Sequence, residues 1–355
     1  MAGIHSAFVR AGSEWLYFAG IHHLFRPFHG ARGAILSVHH VRRRSRAAFH
    51  PRRGLEISPR FLDALLRGLR RWKIDIVPLD EVQTRLADRK ARRFVCFTFD
   101  GAYKDHKEWA WPILKKHGAP FALFVPTSFP DRTGELWWLA LEAVIARSRE
   151  LVMLIDGREQ RIDCSNPAEK VRAYEGLYAY LMRRETDEEI RTIVRDLAAR
   201  YQVDIPPLCE AACLSWDDIG EMAQDPLVTV GAHSVNAPVP SKIPLAKVMS
   251  EFRMSRAVIE GALGRQPAFL AYPFGERDTV GPREFQAAAE LGFTAALTAR
   301  PGLLYPEHAQ HPHAWPRLAL RNDRQSIHYL RLVLSGVPGF GSGRRLDVDQ
   351  ARGRP

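Results

Sequence analysis

Residues 94–101 read Phe-Val-Cys-Phe-Thr-Phe-Asp-Gly, and this stretch decides the fold. The first six of them form a continuous, mostly apolar run, which is typical of a strand buried on both faces of a parallel sheet. Asp100 follows the run directly. Because functional groups gather at the carboxyl ends of the strands in a parallel barrel, the stretch predicts a barrel strand that ends in a candidate functional residue.

Strand and helix patterns alternate on both sides of this stretch. A helical pattern begins after Ser58 and Pro59, which supply an N-cap and a proline in the first turn. Such alternation is typical of an α/β fold built around a parallel sheet or barrel. The predicted strands lie at residues 34–38, 74–77, 94–99, 121–125, 228–230, 269–272, 293–297 and 318–320.

A segment of roughly ninety residues after Pro130 interrupts the alternation. It has helical patterns and one short strand-like run, at residues 151–155. We interpret it as a mainly helical insertion. Its aromatic side chains either form a core against the barrel or line a groove that stacks sugars. These aromatic residues are Trp137, Trp138, Tyr174, Tyr178 and Tyr180.

The predicted organisation therefore has five parts. An N-terminal helical extension covers residues 1–33, and the first part of the barrel covers 34–130. The insertion covers 131–226, and the second part of the barrel covers 227–338. The last residues, 339–355, are rich in Gly, Arg and Asp, which predicts a disordered tail.

Composition excludes several classes of protein. With 355 residues, 46% of them hydrophobic and 26% charged, the chain can bury a substantial core. No run approaches the ~20 apolar residues of a transmembrane helix, and the N-terminus lacks the pattern of a secretory signal, so we expect a cytoplasmic protein. The four cysteines show no CxxC spacing, which predicts reduced, buried thiols rather than disulfides or a zinc ribbon.

The net charge of +11 is spread along the chain. Arginines cluster only at residues 42–44, 52–53 and 92–93, and none of these clusters is interleaved with stacking aromatics. We therefore expect a basic, solvated surface with weak attraction to anionic membranes or glycans, and no dedicated nucleic-acid binding.

Three predicted strand ends carry short motifs. The first is Thr-Phe-Asp-Gly-Ala-Tyr at 98–103, the second Gly-Ala-His-Ser-Val-Asn-Ala-Pro at 231–238, and the third Ala-Tyr-Pro-Phe-Gly at 271–275. Each has a plain structural explanation when it is taken singly. Asp100 would cap the next helix, His233 would be a core histidine, and the third motif would only turn the chain.

In this order and register, the three motifs resemble those of the polysaccharide deacetylase family, which includes nodulation chitooligosaccharide deacetylases and deacetylases of biofilm poly-N-acetylglucosamine. The family motifs read Thr-Phe-Asp-Asp-Gly, His-Ser/Thr-x-x-His-Pro and, at the end of the third, Pro-Tyr-Gly. The resemblance extends from about Ala34 to Leu320, with the insertion between. It implies a distorted (β/α)7-type barrel that hydrolyses the acetamide of N-acetylated oligosaccharides or polysaccharides with the help of a divalent metal.

The resemblance also implies roles for single residues. Asp100 corresponds to the general base, and His233 to one ligand of zinc or a similar cation. The family's second aspartate and second histidine complete the ligand set, but Gly101 and Ala237 stand at those positions. Because a three-ligand site reduced to one ligand loses its affinity, we expect at most weak metal binding. Asn236 and Asp105 are conceivable replacement ligands outside the motif positions.

The proton donor for the leaving amine corresponds to His39, since biofilm-type members place a histidine after the first strand. A histidine pair at a strand end, His39 with His40, is equally compatible with a structural role. The arginine that orients the base in many members is absent, because Ala271 stands in its place. The residues predicted to contact substrate are Tyr103, Tyr272, Pro273 and Phe274.

Two hypotheses about function follow. In the first, the chain is a working N-deacetylase of amino-sugar oligomers or polymers, with Asp100 as base and His39 as acid. In the second, it is a catalytically weak or inactive family member that binds glycan or a partner through the same cleft. The family motifs favour the first hypothesis, and the missing ligands favour the second.

Overall fold

The computed structural model describes residues 30–88, 90–155 and 157–336. Nearly all of the predicted N-terminal extension and the whole predicted tail lie outside these residues.

The described residues form twelve strands. In chain order they are β1 (Gly33–Val38), β2 (His40–Val41), β3 (Glu56–Ile57), β4 (Asp75–Ile76), β5 (Phe94–Asp100), β6 (Phe121–Val125), β7 (Glu150–Ile155), β8 (Arg158–Asp163), β9 (Val228–Ala232), β10 (Phe269–Ala271), β11 (Ala295–Pro301) and β12 (Trp315–Ala319).

Eleven α-helices connect or cover the strands of the described part. In chain order they are α1 (Pro59–Arg71), α2 (Val82–Ala87), α3 (Trp111–Lys116), α4 (Trp137–Arg147), α5 (Pro167–Met182), α6 (Asp187–Arg200), α7 (Pro206–Ala212), α8 (Trp216–Ala223), α9 (Leu245–Leu263), α10 (Pro282–Glu290) and α11 (Ile327–Leu334). A single π-helical segment, His106–Ala110, precedes α3.

Seven parallel strands close into a barrel in the order β1-β12-β11-β10-β9-β6-β5, and β5 then pairs with β1. Strand β4 extends the sheet outside the ring, where it pairs with β5. The register places Ser37 of β1 beside Thr98 of β5, so the ends of these strands lie at one level. This ring confirms the predicted α/β fold with a (β/α)7-type barrel, and all three motifs lie at its rim.

Alternation along β5 explains why Asp100 points into the barrel. Phe97 and Phe99 pack against the outer helices. Phe94 and Cys96 belong instead to the cluster that fills the barrel interior. Because side chains alternate between the two faces of a strand, Asp100 shares the interior side with Cys96 and lies at the carboxyl end of the ring.

The insertion lies between β6 and β9, which are neighbours in the barrel. It has its own hydrophobic core, built mainly from α4, α5 and α6. The strand-like run at 151–155 is one half of an antiparallel hairpin formed by β7 and β8. The last helix of the predicted insertion, α8, packs Ile219 and Met222 into the barrel core, so the separate body of the insertion ends near Ala212.

Two smaller predictions are confirmed. The N-cap of α1 is Ser58, whose hydroxyl accepts a hydrogen bond from the backbone N–H of Phe61 at 3.2 Å. All four cysteines are buried free thiols. Among the helices of the described residues, none combines the length and apolar character needed to cross a membrane.

Candidate functional site

A cavity of about 480 Å³ opens at the carboxyl ends of the barrel strands. Its volume falls in the range of about 300–1,000 Å³ that is usual for small-molecule sites. The barrel rim forms its floor, and the segment 51–55 and the insertion form its walls. The predicted site positions that line it are His39, Asp100, Gly101, Tyr103, His233, Ala237, Pro273 and Phe274.

Asp100 is held by an arginine from β12. Nη1 of Arg317 donates to Oδ1 of Asp100 at 2.8 Å, and its Nε donates to the Thr298 carbonyl at 2.7 Å. Both charged side chains are buried. Burial by itself would raise the pKa of Asp100, but Arg317 and His233 hold it well below its usual range. Asp100 is therefore an ionised hydrogen-bond acceptor in the cleft rather than a helix cap.

Sequence reasoning missed Arg317. It noted that Ala271 stands where many family members carry the arginine that orients the base, but a neighbouring strand supplies a guanidinium to the same carboxylate. Residues 315–319 read Trp-Pro-Arg-Leu-Ala, and a charged residue within such a short apolar strand is the signal that could have found it.

His233 is oriented by the third motif. Its Nδ1–H donates to the Ala271 carbonyl at 2.7 Å, since a carbonyl oxygen can only accept. Burial lowers the pKa of His233, so the ring is neutral near pH 7 and its Nε2 carries a lone pair. The histidine lines the cavity, and it is therefore available to a ligand.

The structure separates the roles of the two neighbouring histidines. His39 lines the cavity, and burial lowers its pKa to about 4. The His106 Nε2–H donates to the His39 carbonyl at 2.8 Å, which fixes this backbone position. His40 is buried behind the cavity and pairs with Asp105 at 3.0 Å. His39 is therefore the site residue of the pair, and His40 is structural.

Neither conceivable replacement ligand is free to bind a metal. Asp105 accepts hydrogen bonds from His40, from the Val41 backbone and from Arg42. The Asn236 side chain donates to Glu251 at 3.0 Å. Neither residue lines the cavity, so the structure contradicts both assignments.

The remaining donors do not fit a metal. The backbone of Gly101 has φ +94°, and a Cβ built there would lie 2.6 Å from Cε2 of Tyr103. The Tyr103 ring thus fills the space next to the position where the family has its metal-binding aspartate. Within residues 30–88, 90–155 and 157–336, no group of three or more His, Cys, Asp or Glu side chains is placed to hold a metal ion.

Tyr272 lies in the barrel core and not in the cleft. Its side chain is fully buried between Phe252 and Phe285, and its hydroxyl donates to the His313 carbonyl at 2.9 Å. This position contradicts its predicted role as a substrate contact. Tyr272 directly follows β10, and its side chain packs with Phe252 and Phe285 in the layer between the barrel and the outer helices.

The aromatic residues of the insertion divide between its core and the cleft. Trp138, Tyr174 and Tyr178 line the cavity. Trp137 is buried in the insertion core, where its ring lies 5.2 Å from that of Tyr178. Tyr180 contacts Arg184 instead. The aromatic set is therefore divided between the insertion core and the cavity wall, and the stacking of sugars on it stays a prediction.

Arg52 is a further cleft residue that sequence reasoning did not single out. It lines the cavity, and its guanidinium carbon lies 5.8 Å from the centre of the Trp138 ring. Burial raises the pKa of the Tyr103 hydroxyl, and the positive charge of Arg52 opposes that shift. In the sequence it forms one of several short arginine clusters, which gave no reason to separate it from surface charge.

The insertion also fixes the loop of the second motif. Oδ1 of Asp187 accepts from the Val239 backbone N–H at 3.0 Å, and Oδ2 accepts from Arg191 at 2.6 Å. Arg191 in turn donates to the Asn236 carbonyl at 3.0 Å. A buried ion pair on α6 thus holds residues 236–239 against the rim.

A family model described as "Polysaccharide deacetylase" matches residues 87–296, more than half of the chain. The chain belongs to the polysaccharide deacetylase family. The matched span includes Asp100 and His233, whereas His39 and Arg317 lie outside it. No curated protein matches the chain significantly.

Solved structures share the fold of this deacetylase-family chain. The deacetylase PplD of Streptococcus pyogenes, solved in complex with acetate, is 18% identical, with a TM-score of 0.56 over 85% of this chain and 97% of that one. IcaB from Ammonifex degensii is 20% identical, with a TM-score of 0.52 over 83% and 94%. BC0361, a polysaccharide deacetylase from Bacillus cereus, is 14% identical, with a TM-score of 0.51 over 85% and 68%.

Proposed function

We propose that this polysaccharide deacetylase family member binds an N-acetylated glycan in the strand-end cleft, and that it hydrolyses the acetamide slowly at most. The observation that carries the proposal is the Tyr103 ring, which fills the space next to Gly101 at the first missing ligand position. Family membership supports the kind of ligand, and the incomplete donor set supports weak chemistry.

The polar groups of the cleft suit an acetamide. Asp100 is an ionised acceptor for an amide N–H, and the unprotonated Nε2 of His233 accepts from a hydroxyl or a second N–H. The aromatic rings of Trp138 and Tyr178 offer the apolar faces on which sugar rings stack. A few convergent polar groups beside aromatic surface are typical of a small-molecule site.

The same groups are poor catalysts as they stand. A carboxylate whose pKa is well below its usual range is a weak base for water. His39, with a pKa of about 4, is neutral near pH 7, so it does not supply the positively charged acid that a leaving amine needs. The lowered pKa values of Asp100 and His39 therefore support the second hypothesis, a weak or inactive family member that binds glycan, over the first, a working N-deacetylase.

The test combines binding and turnover. Calorimetric titration with chitotetraose, the neutral N-acetylated oligosaccharide suggested by the family, should show binding that Trp138→Ala weakens. Acetate release should stay close to that of Asp100→Asn, with or without added zinc, cobalt or nickel. Metal-stimulated acetate release that Asp100→Asn abolishes would establish a working deacetylase instead.

A further inference from the structure

Arg52 is a cation inside the cleft rather than on its outer surface. It lies in the 3₁₀ turn Pro51–Leu55, and its side chain is half-buried where it lines the cavity. The carbon of its guanidinium lies 5.8 Å from the centre of the Trp138 ring. This contact orients the guanidinium but does not neutralise its charge.

No carboxylate of the described residues forms an ion pair with Arg52. Asp100 is already paired with Arg317. Glu142 is the acidic side chain that acts most strongly on Arg52, but the two side chains lie beyond ion-pair distance of each other. Glu175 and Glu276 also line the cavity, yet both are exposed at its rim, where water and salt screen their charge.

The other arginine that lines the cavity, Arg321, differs from Arg52 in both burial and ion pairing. Arg321 is exposed at the rim, and its Nε lies 3.7 Å from a carboxylate oxygen of Asp323. Arg52 therefore carries the positive charge that a ligand meets inside the cleft. A partly desolvated charge gains the most from a partner that is itself charged.

We propose that the cleft takes an acidic amino-sugar glycan, in which a carboxylate or phosphate group binds Arg52 while the N-acetyl group of the same or an adjacent sugar lies at Asp100 and His233. The inference rests on the proposed function and names its ligand class. A guanidinium offers two parallel N–H donors that match the oxygens of a carboxylate or a phosphate. The ring of Trp138 lies next to Arg52, and Tyr178 lines the same cavity, so both rings can provide stacking faces for the sugar.

The positive net charge of the protein also favours an acidic glycan over a neutral one. A chain with a formal charge of +11 attracts polyanions to its surface before any specific contact forms. Arg52 then selects an acidic glycan, because a neutral glycan leaves the guanidinium without a charged partner in the closed cleft.

The experiment compares four probes by isothermal titration at moderate salt. The two anionic probes are a tetrasaccharide of alternating N-acetylglucosamine and glucuronic acid, and N-acetylglucosamine 6-phosphate. Their neutral counterparts are chitotetraose and N-acetylglucosamine. At least one anionic probe should bind more tightly than its neutral counterpart, chitotetraose or N-acetylglucosamine, and the one that does so identifies the carboxylate or the phosphate as the recognised group.

Variants then assign the preference to Arg52. Arg52→Met should lower the affinity for the preferred anionic probe by about tenfold to a hundredfold, which is the usual range for a hydrogen bond to a charged group. The same variant should lower the affinity for chitotetraose by less than about threefold. Arg52→Lys, which keeps the charge and loses the fork of donors, should give an intermediate loss. Arg44→Met removes one charge from the exposed segment before β3 and should change neither affinity.

The outcomes separate the inference from the proposed function. If neither anionic probe binds more tightly than its neutral counterpart, or if Arg52→Met weakens the binding of all probes equally, the inference is wrong and the glycan-binding function stands. If no probe binds to the folded parent protein, the proposed function itself fails. Should Arg52→Met be unstable, Arg52→Lys still decides, because equal affinity of that variant and the parent for the anionic probes would exclude bidentate recognition.

Discussion

Arg317 and Asp100 form a buried ion pair at the centre of the site, and each depends on the other. Arg317→Met leaves Asp100 as a buried charge without its main partner. We expect this variant to lose about 3–5 kcal/mol of unfolding free energy, the usual cost of removing one member of a buried pair. Urea denaturation at pH 7 measures the loss.

A double-mutant cycle provides the control for this pair. Asp100→Asn removes the charge that Arg317 neutralises, so adding Arg317→Met to Asp100→Asn should cost less than it does in the parent. Additive losses in the double variant would show that the two side chains do not depend on each other, and would remove the assignment of Arg317 as the residue that positions Asp100.

The buried histidine His39 predicts how stability changes with pH. Its pKa is about 4 in the folded protein and about 6.5 in the unfolded chain. Above pH 6.5 the ring is neutral in both states. Between pH 6.5 and 4 only the unfolded chain takes up the proton, so the folded state loses stability as the pH falls, by about 3 kcal/mol over the whole window.

Calorimetric melting temperatures between pH 7.5 and 4.5 test this expectation. The melting temperature of His39→Asn should fall less steeply than that of the parent as the pH is lowered from 6.5 towards 4. His40, with a pKa of about 3, adds a decline of the same sign that remains in the variant. An unchanged slope in His39→Asn would show that His39 is not held neutral in the cleft.

Gly101 limits any attempt to rebuild the family's metal site. The backbone there has φ +94°, and the Tyr103 ring occupies the space that a new side chain needs. We expect Gly101→Asp with Ala237→His to bind zinc weakly, because the aspartate cannot take its place without displacing the ring. Ala237 is the easier position, since a non-glycine residue already adopts φ +47° there.

Gly118 offers a matched control, because it also has positive φ, +53°, but a Cβ there meets no atom within 4 Å. Gly101→Asp should destabilise the protein by about 1–3 kcal/mol more than Gly118→Asp, the usual cost of overpacking. Thermal unfolding of the two variants gives the difference. Equal losses, together with tight zinc binding by the double variant, would mean that the Tyr103 ring moves aside freely.

At the scale of elements, helix α6 holds the loop of the second motif. Asp187→Ala removes the acceptor for the Val239 N–H and the partner of Arg191. We expect the Val239 amide to exchange with solvent deuterium at least about tenfold faster in this variant, because about 1.4 kcal/mol of lost protection already gives that factor. Hydrogen-exchange mass spectrometry of the 234–239 segment measures the change.

Glu188→Ala is the matched control on the same helix. Glu188 is exposed and pairs only with side chains of its own helix, namely Arg195 and Thr192. Its removal should leave the exchange of the Val239 amide unchanged. If both variants accelerate exchange equally, the loop depends on the general stability of α6 and not on the Asp187 contact.

At the scale of the whole molecule, the metal content of the protein is the most direct prediction. The donor set is short of two ligands, and the described residues offer no substitutes for them. Protein purified without chelator should therefore contain well under one equivalent of zinc, cobalt or nickel. Elemental analysis decides this, and one equivalent that is lost in His233→Ala would show that the ligand assignment from the motifs is wrong.

The sequence predicted the barrel and most of the cleft because both depend on local patterns. The buried run before Asp100 and the order of the three motifs were sufficient to place Asp100, His233 and Pro273 at one rim. Arg317 could not be placed in the same way, because its partner lies more than two hundred positions away along the chain. Tyr272 was misplaced because a motif does not show which face of the strand a residue occupies.

Residue patterns also did not show where the body of the insertion ends. Helix α5 contributes to the core of the insertion, whereas α8 contributes Ile219 and Met222 to the barrel core. Which core a helix joins is a tertiary property. The predicted N-terminal extension, the tail and the cytoplasmic location stay predictions.

The position of the insertion has a consequence for how this protein could change over time or be redesigned. The body of the insertion leaves the barrel at the end of β6 and ends near Ala212, where the Leu214 N–H donates to the Ala102 carbonyl at 2.8 Å, just beyond the end of the neighbouring strand β5. A segment that starts and ends at neighbouring points can be exchanged for another without altering strand register. Trp138, Tyr174 and Tyr178 all belong to that segment, whereas Asp100 and His233 belong to the ring. The aromatic wall of the cleft can thus be replaced as one unit, while the floor that carries Asp100 and His233 stays unchanged.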